Sequence, residues 1–371
     1  ADALMQEFSL SSEEGVALMC LAEALLRIPD AQTRDDLIYE KLQEGNWKSH
    51  IGNSNSFFIN AASYGLLFGK KISESLDENS LSNALTRSFS RLSAPIMRMA
   101  IIKSMQILGK QFVTGVTMQE ALQNIKPRYE KGFTFSFDML GEAAMTEADA
   151  QRYFNDYLHA IEEVGKDAAG RTIYNGNSVS VKLSAIHPKY SRSKYDRTIN
   201  ELYPRLKELF LLAKKYNISI NIDAEEANRL ELSLDLVEKL LDEPELQGYK
   251  GIGFVVQAYS KRCPFVLDYL INLAREKQGY LMIRLVKGAY WDSEIKWAQA
   301  DGLDGFPLYT RKNHTDISYI ACAKKLFAAQ DVIYPQFATI IDEKKGFFSR
   351  KTFFNSRSER RYFLAIIRIG D

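Results

Sequence analysis

A (β/α)8-type, TIM-like barrel preceded by a helical arm or cap is the fold class this sequence predicts. Three observations predict it. From Gly132 onward, near-continuous apolar stretches of strand length alternate with amphipathic helical stretches, the pattern of a parallel sheet buried on both faces. Six such units recur at intervals of roughly 28 to 50 residues, which suits a barrel better than an open sheet. The glycine fingerprint GxGxxG of a doubly wound dinucleotide-binding sheet is absent.

Residues 1–131 read as helical. Ser11 or Ser12 caps an apolar-periodic run, VALMCLAEALLRI, that stops before Pro29. Further helical patterns lie at 33–44, 57–69, 80–109 and 117–129, punctuated by Gly45, Gly52 and Gly109. The texture changes at Gly132, where GFTFSFDML (132–140) is aromatic-rich and favours a strand. A helix at 146–166 and a strand at 178–186 follow, then a helix at 197–216 and a strand at 219–225. Next come a helix at 228–241, a strand at 253–259, a helix at 264–276, a fifth strand at 281–289 and a sixth at 332–339.

Bulk properties narrow the function. Lysine and arginine total 48 against 47 acidic residues in a chain of 371, a balance that argues against general polyanion binding. No apolar run is long enough to span a membrane, and the first residues lack a basic-then-apolar leader, so the cytoplasm is the expected location. Cys20, Cys263 and Cys322 are too scattered for a disulfide framework and read as small buried hydrophobes. His50, His159, His187 and His314 form no metal-ligand spacing, so no metal site is expected.

Ligands of parallel α/β folds bind at the carboxyl ends of the strands, and here each strand ends in polar residues. The first runs into Asp138 and Glu142, the second ends at Lys182, and the third at Asp223, Glu225 and Glu226. The fourth carries Gln257 and Tyr259, the fifth Arg284, Lys287, Tyr290 and Trp291, and the sixth Gln336 and Thr339. Buried charge without partners is costly, so six such ends in succession indicate a catalytic rim. Lys182 lies in the otherwise apolar VSVKLS. Its ammonium either pairs with a carboxylate such as Asp223 or meets a ligand anion, and a desolvated lysine there could also form a Schiff base. In RLVKGAYWDSE (284–294), Arg284 and Lys287 bring two cations to one strand end, Gly288 permits close backbone approach, and Tyr290 and Trp291 add flat surfaces. A helix N-terminus near Asp292 adds to an anion site, and the combination suits a planar ring joined to phosphate.

The segments SFDMLGEAA, VSVKLSAIHPKYSR, INIDAEEA, GFVVQAYSKRCP, MIRLVKGAYWDSEIK and YPQFAT resemble the proline dehydrogenase domain of the bifunctional proline utilization A flavoproteins. FSLSSEEGVALMCLAEALLRIPD and GNWKSHIG are similar to the portion that precedes that domain. The resemblance implies an FAD enzyme that oxidises L-proline to Δ1-pyrroline-5-carboxylate by hydride transfer to flavin N5. Electrons then go to a quinone, with peripheral association at the inner face of the cytoplasmic membrane. It implies that Lys182 binds the proline carboxylate, that Asp223 hydrogen-bonds within the site, and that Leu285 and Tyr290 pack on the proline ring. By the same resemblance Gln257 and Arg284 contact the flavin, while Val286, Lys287, Gly288, Ala289, Trp291, Thr310 and Lys312 shape the rest of the FAD site. Glu142 matches a carboxylate that pairs with an active-site arginine and helps to close the site.

The similarity stops near residue 339. The stretch 340–371 holds eight Lys/Arg against four Asp/Glu, whereas the preceding 339 residues hold 40 against 43. Its texture is foreign to the rest, no strand is recognisable in it, and the arginine pair the family uses to clamp the carboxylate has no matching position. The chain is therefore expected to comprise a helical arm or cap region (1–131), an FAD-binding barrel of six recognisable βα units (132–339) and an atypical tail (340–371). The family's DNA-binding and aldehyde dehydrogenase domains are expected to be absent, so no nucleic acid partner is expected. Two other readings stay open: a Schiff-base lyase or aldolase on Lys182, and an impaired, truncated barrel.

Overall fold

The computed structural model describes residues 113–115, 117–130, 133–141, 143–338 and 362–368, and Gly115–Ile369 forms a compact unit of its own. Its strands are β1 (Thr134–Leu140), β2 (Ser178–Val181), β3 (Ile220–Ile222), β4 (Ile252–Gln257), β5 (Leu281–Val286), β6 (Ile333–Ala338) and β7 (Tyr362–Arg368). Its helices are α1 (Met118–Tyr129), α2 (Glu147–Asp167), α3 (Tyr195–Tyr216), α4 (Leu230–Asp242), α5 (Cys263–Glu276), α6 (Trp291–Ala300) and α7 (Lys312–Ala328). Helix α1 matches the predicted 117–129 segment, and the other helical patterns of 1–131 lie outside the described residues.

Local chemistry sets these boundaries. Thr146 caps α2 through a reciprocal capping box with Asp149, satisfying two donors that the first helical turn would otherwise leave open. Helix α3 ends where Asn217 takes the left-handed conformation at φ 55°. The strands are built from β-branched and aromatic residues, and every residue of β2 and β3 is buried, as a sheet covered on both faces requires.

The strands pair in parallel in the order β7-β1-β2-β3-β4-β5-β6. Register runs through Phe137↔Val179, Val179↔Ile220, Ile220↔Ile252, Ile252↔Leu281 and Leu281↔Ile333. Consecutive strands of β1 to β6 are therefore neighbours, the winding of a barrel and not of a doubly wound sheet. One side chain reports the curvature. Arg284 on β5 donates to Ser180 Oγ on β2 (2.8 Å) and Ser136 Oγ on β1 (2.6 Å), strands that a flat sheet would hold three and four positions away. The sheet is thus curled as a half-barrel, consistent with the predicted TIM-like class. Leu206, Phe210, Leu236, Leu240, Leu267 and Leu270 on the surrounding helices are completely buried in one core with the strands. Cys263 and Cys322, read as small hydrophobes, are buried in that core.

Several expectations change. Strand β7 lies within the stretch 340–371, where no strand was recognisable, and pairs along the whole of β1, from Thr134↔Tyr362 to Leu140↔Arg368. The basic composition of that stretch hid the apolar run YFLAIIR, which local pattern alone identifies. The predicted second strand, 178–186, ends instead at Val181 and gives way to a short 3-10 turn at Leu183–Ala185. Helix α7, which the segment-by-segment reading did not include, covers Lys312–Ala328.

Candidate active site

The polar residues predicted at the strand ends do converge. Lys182 directly follows β2, Asp138 lies on β1 and Asp223 directly follows β3, so three adjacent strands deliver a cation between two carboxylates. Lys182 Nζ donates to Asp138 Oδ1 at 2.7 Å and to Asp223 Oδ2 at 3.1 Å, and each side chain keeps 15–17% of its surface. Burial works against the Lys182 charge, but Asp223 and Asp138 outweigh it and hold the ammonium well above the ordinary lysine range. Burial, reinforced by the charge of Asp223, pushes the Asp138 carboxyl up to about 6 against the opposing pull of Lys182 and Arg284. The backbone N–H of Lys182 donates to the hydroxyl of Tyr157 (3.2 Å), a fully buried residue of α2.

Arg284 is 7% exposed and is fixed by Ser136, Ser180 and, through Nε, by Gln336 Oε1 at 3.1 Å. Gln257, at the end of β4, donates to the carbonyl of Glu225 (2.9 Å) and accepts from the backbone N–H of Ala289 (3.1 Å), tying the ends of three strands together. Past β5, Lys287 and Lys312 share the carboxylate of Asp316 at 2.6 and 3.0 Å. These bonds, the one from Lys287 foremost, hold Asp316 below the usual carboxylate range. Gly288 stands at φ 146°, and a Cβ there would sit 2.4 Å from the ring of Tyr259. Gly288→Ala is therefore expected to lower stability by about 1–3 kcal/mol, measured by denaturant unfolding, because both the conformation and the space are closed to a side chain. An unchanged midpoint would refute that packing.

Of the remaining predicted residues, Tyr290 and Val286 are half-buried, while Ala289, Trp291 and Thr310 are exposed. The Trp291 indole N–H donates to the carbonyl of Tyr309 at 3.3 Å, and Trp291 opens helix α6. Leu285 is walled into the core with no exposed surface. Glu142 and Thr339 lie outside the described residues. Glu225 turns out to support the frame: it accepts from the backbone N–H of Ser184 at 3.0 Å and pairs with Arg229. The sequence reading placed Asp138 on the rim without a role and missed Ser136, Ser180, Tyr157 and Asp316. A small hydroxyl at alternate positions of two otherwise apolar strands was the available signal for the serines.

The family model described as Proline dehydrogenase matches residues 121–340, and one described as DNA-binding domain of Proline dehydrogenase matches residues 1–112. The second match overturns the expectation that the chain lacks the family's DNA-binding portion; helical periodicity at 1–131 does not say what those helices dock against. The chain is 62% identical over 336 residues to the Bifunctional protein PutA of Escherichia coli (strain K12), covering 91% of this chain and 26% of that protein. It is 54% identical over 339 residues to the Bifunctional protein PutA of Rhizobium meliloti, covering 91% and 27%. A crystal structure of a Bradyrhizobium japonicum Proline Utilization A (PutA) mutant is similar with TM-score 0.64 and 43% identity, over 91% of this chain and 34% of that one. The chain thus spans about a quarter of the length of the curated relatives it matches. Among the described residues no helix is long and apolar enough to cross a membrane. On the family match across residues 121–340, the chain belongs to the proline dehydrogenase family.

Proposed function

We propose that this chain oxidises L-proline to Δ1-pyrroline-5-carboxylate with FAD and passes the electrons to a quinone, at the inner face of the cytoplasmic membrane. On this reading 1–131 is a helical arm, 132–339 is the FAD-binding part, and the half-barrel belongs to a (β/α)8 plan. The observation that carries the proposal is the ammonium of Lys182, held at the rim between Asp138 and Asp223. Two of its three N–H groups meet these carboxylates, and the third is available to the carboxylate of an amino acid substrate. Asp223 fixes the direction of that donor.

The residues around Gly288 fit FAD. Lys287 and Lys312 supply positive charge for phosphate, and Trp291 offers a half-open aromatic face. Bound there, FAD supplies the acceptor for hydride from the carbon next to the ring nitrogen. Gln257 and Arg284 would contact it, and the bonds of Arg284 to Ser136, Ser180 and Gln336 keep its positive charge in place without rearrangement. The Schiff-base alternative is disfavoured, because an amine nucleophile must be neutral and both carboxylates hold Lys182 protonated.

The test is direct. The purified chain, supplied with FAD, should turn yellow, and its flavin absorbance should bleach when proline is added without oxygen. A folded preparation that stays colourless overturns the proposal. The same assay on a chain carrying a family-like C-terminal segment tests whether the tail alters turnover.

A further inference from the structure

The charges around Lys182 leave a problem for any carboxylate that binds there. Asp138 on β1, Lys182 after β2, Asp223 after β3 and Arg284 on β5 sum to zero when all are ionised. Among the described residues the other groups facing Asp138 do not change the sum: Tyr157, on α2, is buried and neutral, and the register partner of Asp138 on β7 is Ile366. An incoming carboxylate adds one uncompensated negative charge to a poorly hydrated cluster, which is unfavourable. Arg284 cannot swing in to neutralise it, because Ser136, Ser180 and Gln336 hold its guanidinium.

We propose that Asp138 is a positioning residue that takes up one proton from solvent as a carboxylate binds to Lys182, so that ligand binding and protonation of Asp138 are a single coupled event. The inference rests on the reading of Lys182 as the carboxylate anchor. Asp138 makes the shorter of the two contacts to Lys182, so its neutralisation releases the ammonium toward the ligand most effectively. The new O–H also turns Asp138 from an acceptor into a donor that can face the incoming anion. Its carboxyl is already pushed up to about 6, chiefly by burial and next by Asp223, so a further negative charge nearby carries it through neutrality.

The sign follows from linkage: above the pKa of the free site, binding requires proton uptake, and affinity falls as pH rises. The probe is cyclopentanecarboxylate, which has the five-membered ring and the carboxylate but no nitrogen to titrate. Calorimetry on the full chain near pH 7.5, in buffers of different ionisation enthalpy, should report about one proton taken up per ligand bound. The Kd should weaken about tenfold between roughly pH 6.5 and 7.5. Asp138→Asn should abolish the uptake and leave Kd flat within about twofold over that range.

No uptake by the unaltered chain overturns the proposal without reference to any variant, which protects the test if Asp138→Asn fails to fold. Full uptake by a folded Asp138→Asn variant overturns it as well. Lys182→Met separates the two claims. If it loses binding while Asp138→Asn still takes up the proton, only the coupling is wrong. If it binds like the unaltered chain, or if the unaltered chain does not bind the probe, the Lys182 anchor fails and the coupling with it.

Discussion

Lys182→Met should raise KM for proline by about a hundredfold, with a smaller effect on kcat. Losing a charge-assisted contact to the substrate carboxylate in a poorly hydrated site costs about 3 kcal/mol, and each 1.4 kcal/mol is a factor of about ten. The substitution also removes the cation between Asp138 and Asp223, each of which keeps only 16–17% of its side-chain surface. Two carboxylates so placed cannot both stay ionised at no cost, so one of them will hold a proton across the neutral range. Steady-state kinetics across proline concentration measures the effect, and a KM within twofold of the unaltered chain would remove Lys182 from the proposed role.

Arg284→Met should act on both stability and chemistry. The guanidinium donates hydrogen bonds in the interior to Ser136 Oγ, Ser180 Oγ and Gln336 Oε1. The serines stand 3.2 Å apart and can partly satisfy each other, but Gln336 is left facing a thioether. A loss of about 3 kcal/mol is expected, or a fall of roughly 6–12 °C in Tm for a unit of this size. Turnover should fall more than substrate affinity does, because in the proposed function the lost charge serves the electron acceptor and not the carboxylate. A Tm unchanged in a thermal melt would show that the crossing contacts contribute little.

How much of this was legible in the sequence depended on the range of the signal. The strand–helix alternation, and with it the ordering of β1 to β6, came from periodicity within short windows, because burial on both sheet faces leaves a continuous apolar imprint in each strand. Lys182 was conspicuous because a charge interrupted such a strand, and the open choice between a carboxylate partner and a ligand has half resolved: Asp223 is a partner, and so is Asp138. The third position of that ammonium is what the proposal uses. Asp138 itself drew no role because its importance depends on Lys182, 44 positions later. The anchoring of Arg284 is still further from local pattern, since Ser136 is 148 positions away and no window joins them. Leu285, placed beside the substrate ring only by the resemblance, has no exposed surface in this structure. Strand β7 was missed because charge counting averaged over a stretch that contains one short apolar run.

The pairing of β7 with β1 bears on synthesis. Strand β1 acquires β2 as a neighbour soon after it is made, but its other side waits until residues 362–368 have been translated. Through that interval a seven-residue strand, TFSFDML, presents a line of unpaired backbone donors and acceptors. Such an edge is a template for a second nascent chain, so the length of the delay, more than the final stability, sets the exposure of this polypeptide to aggregation.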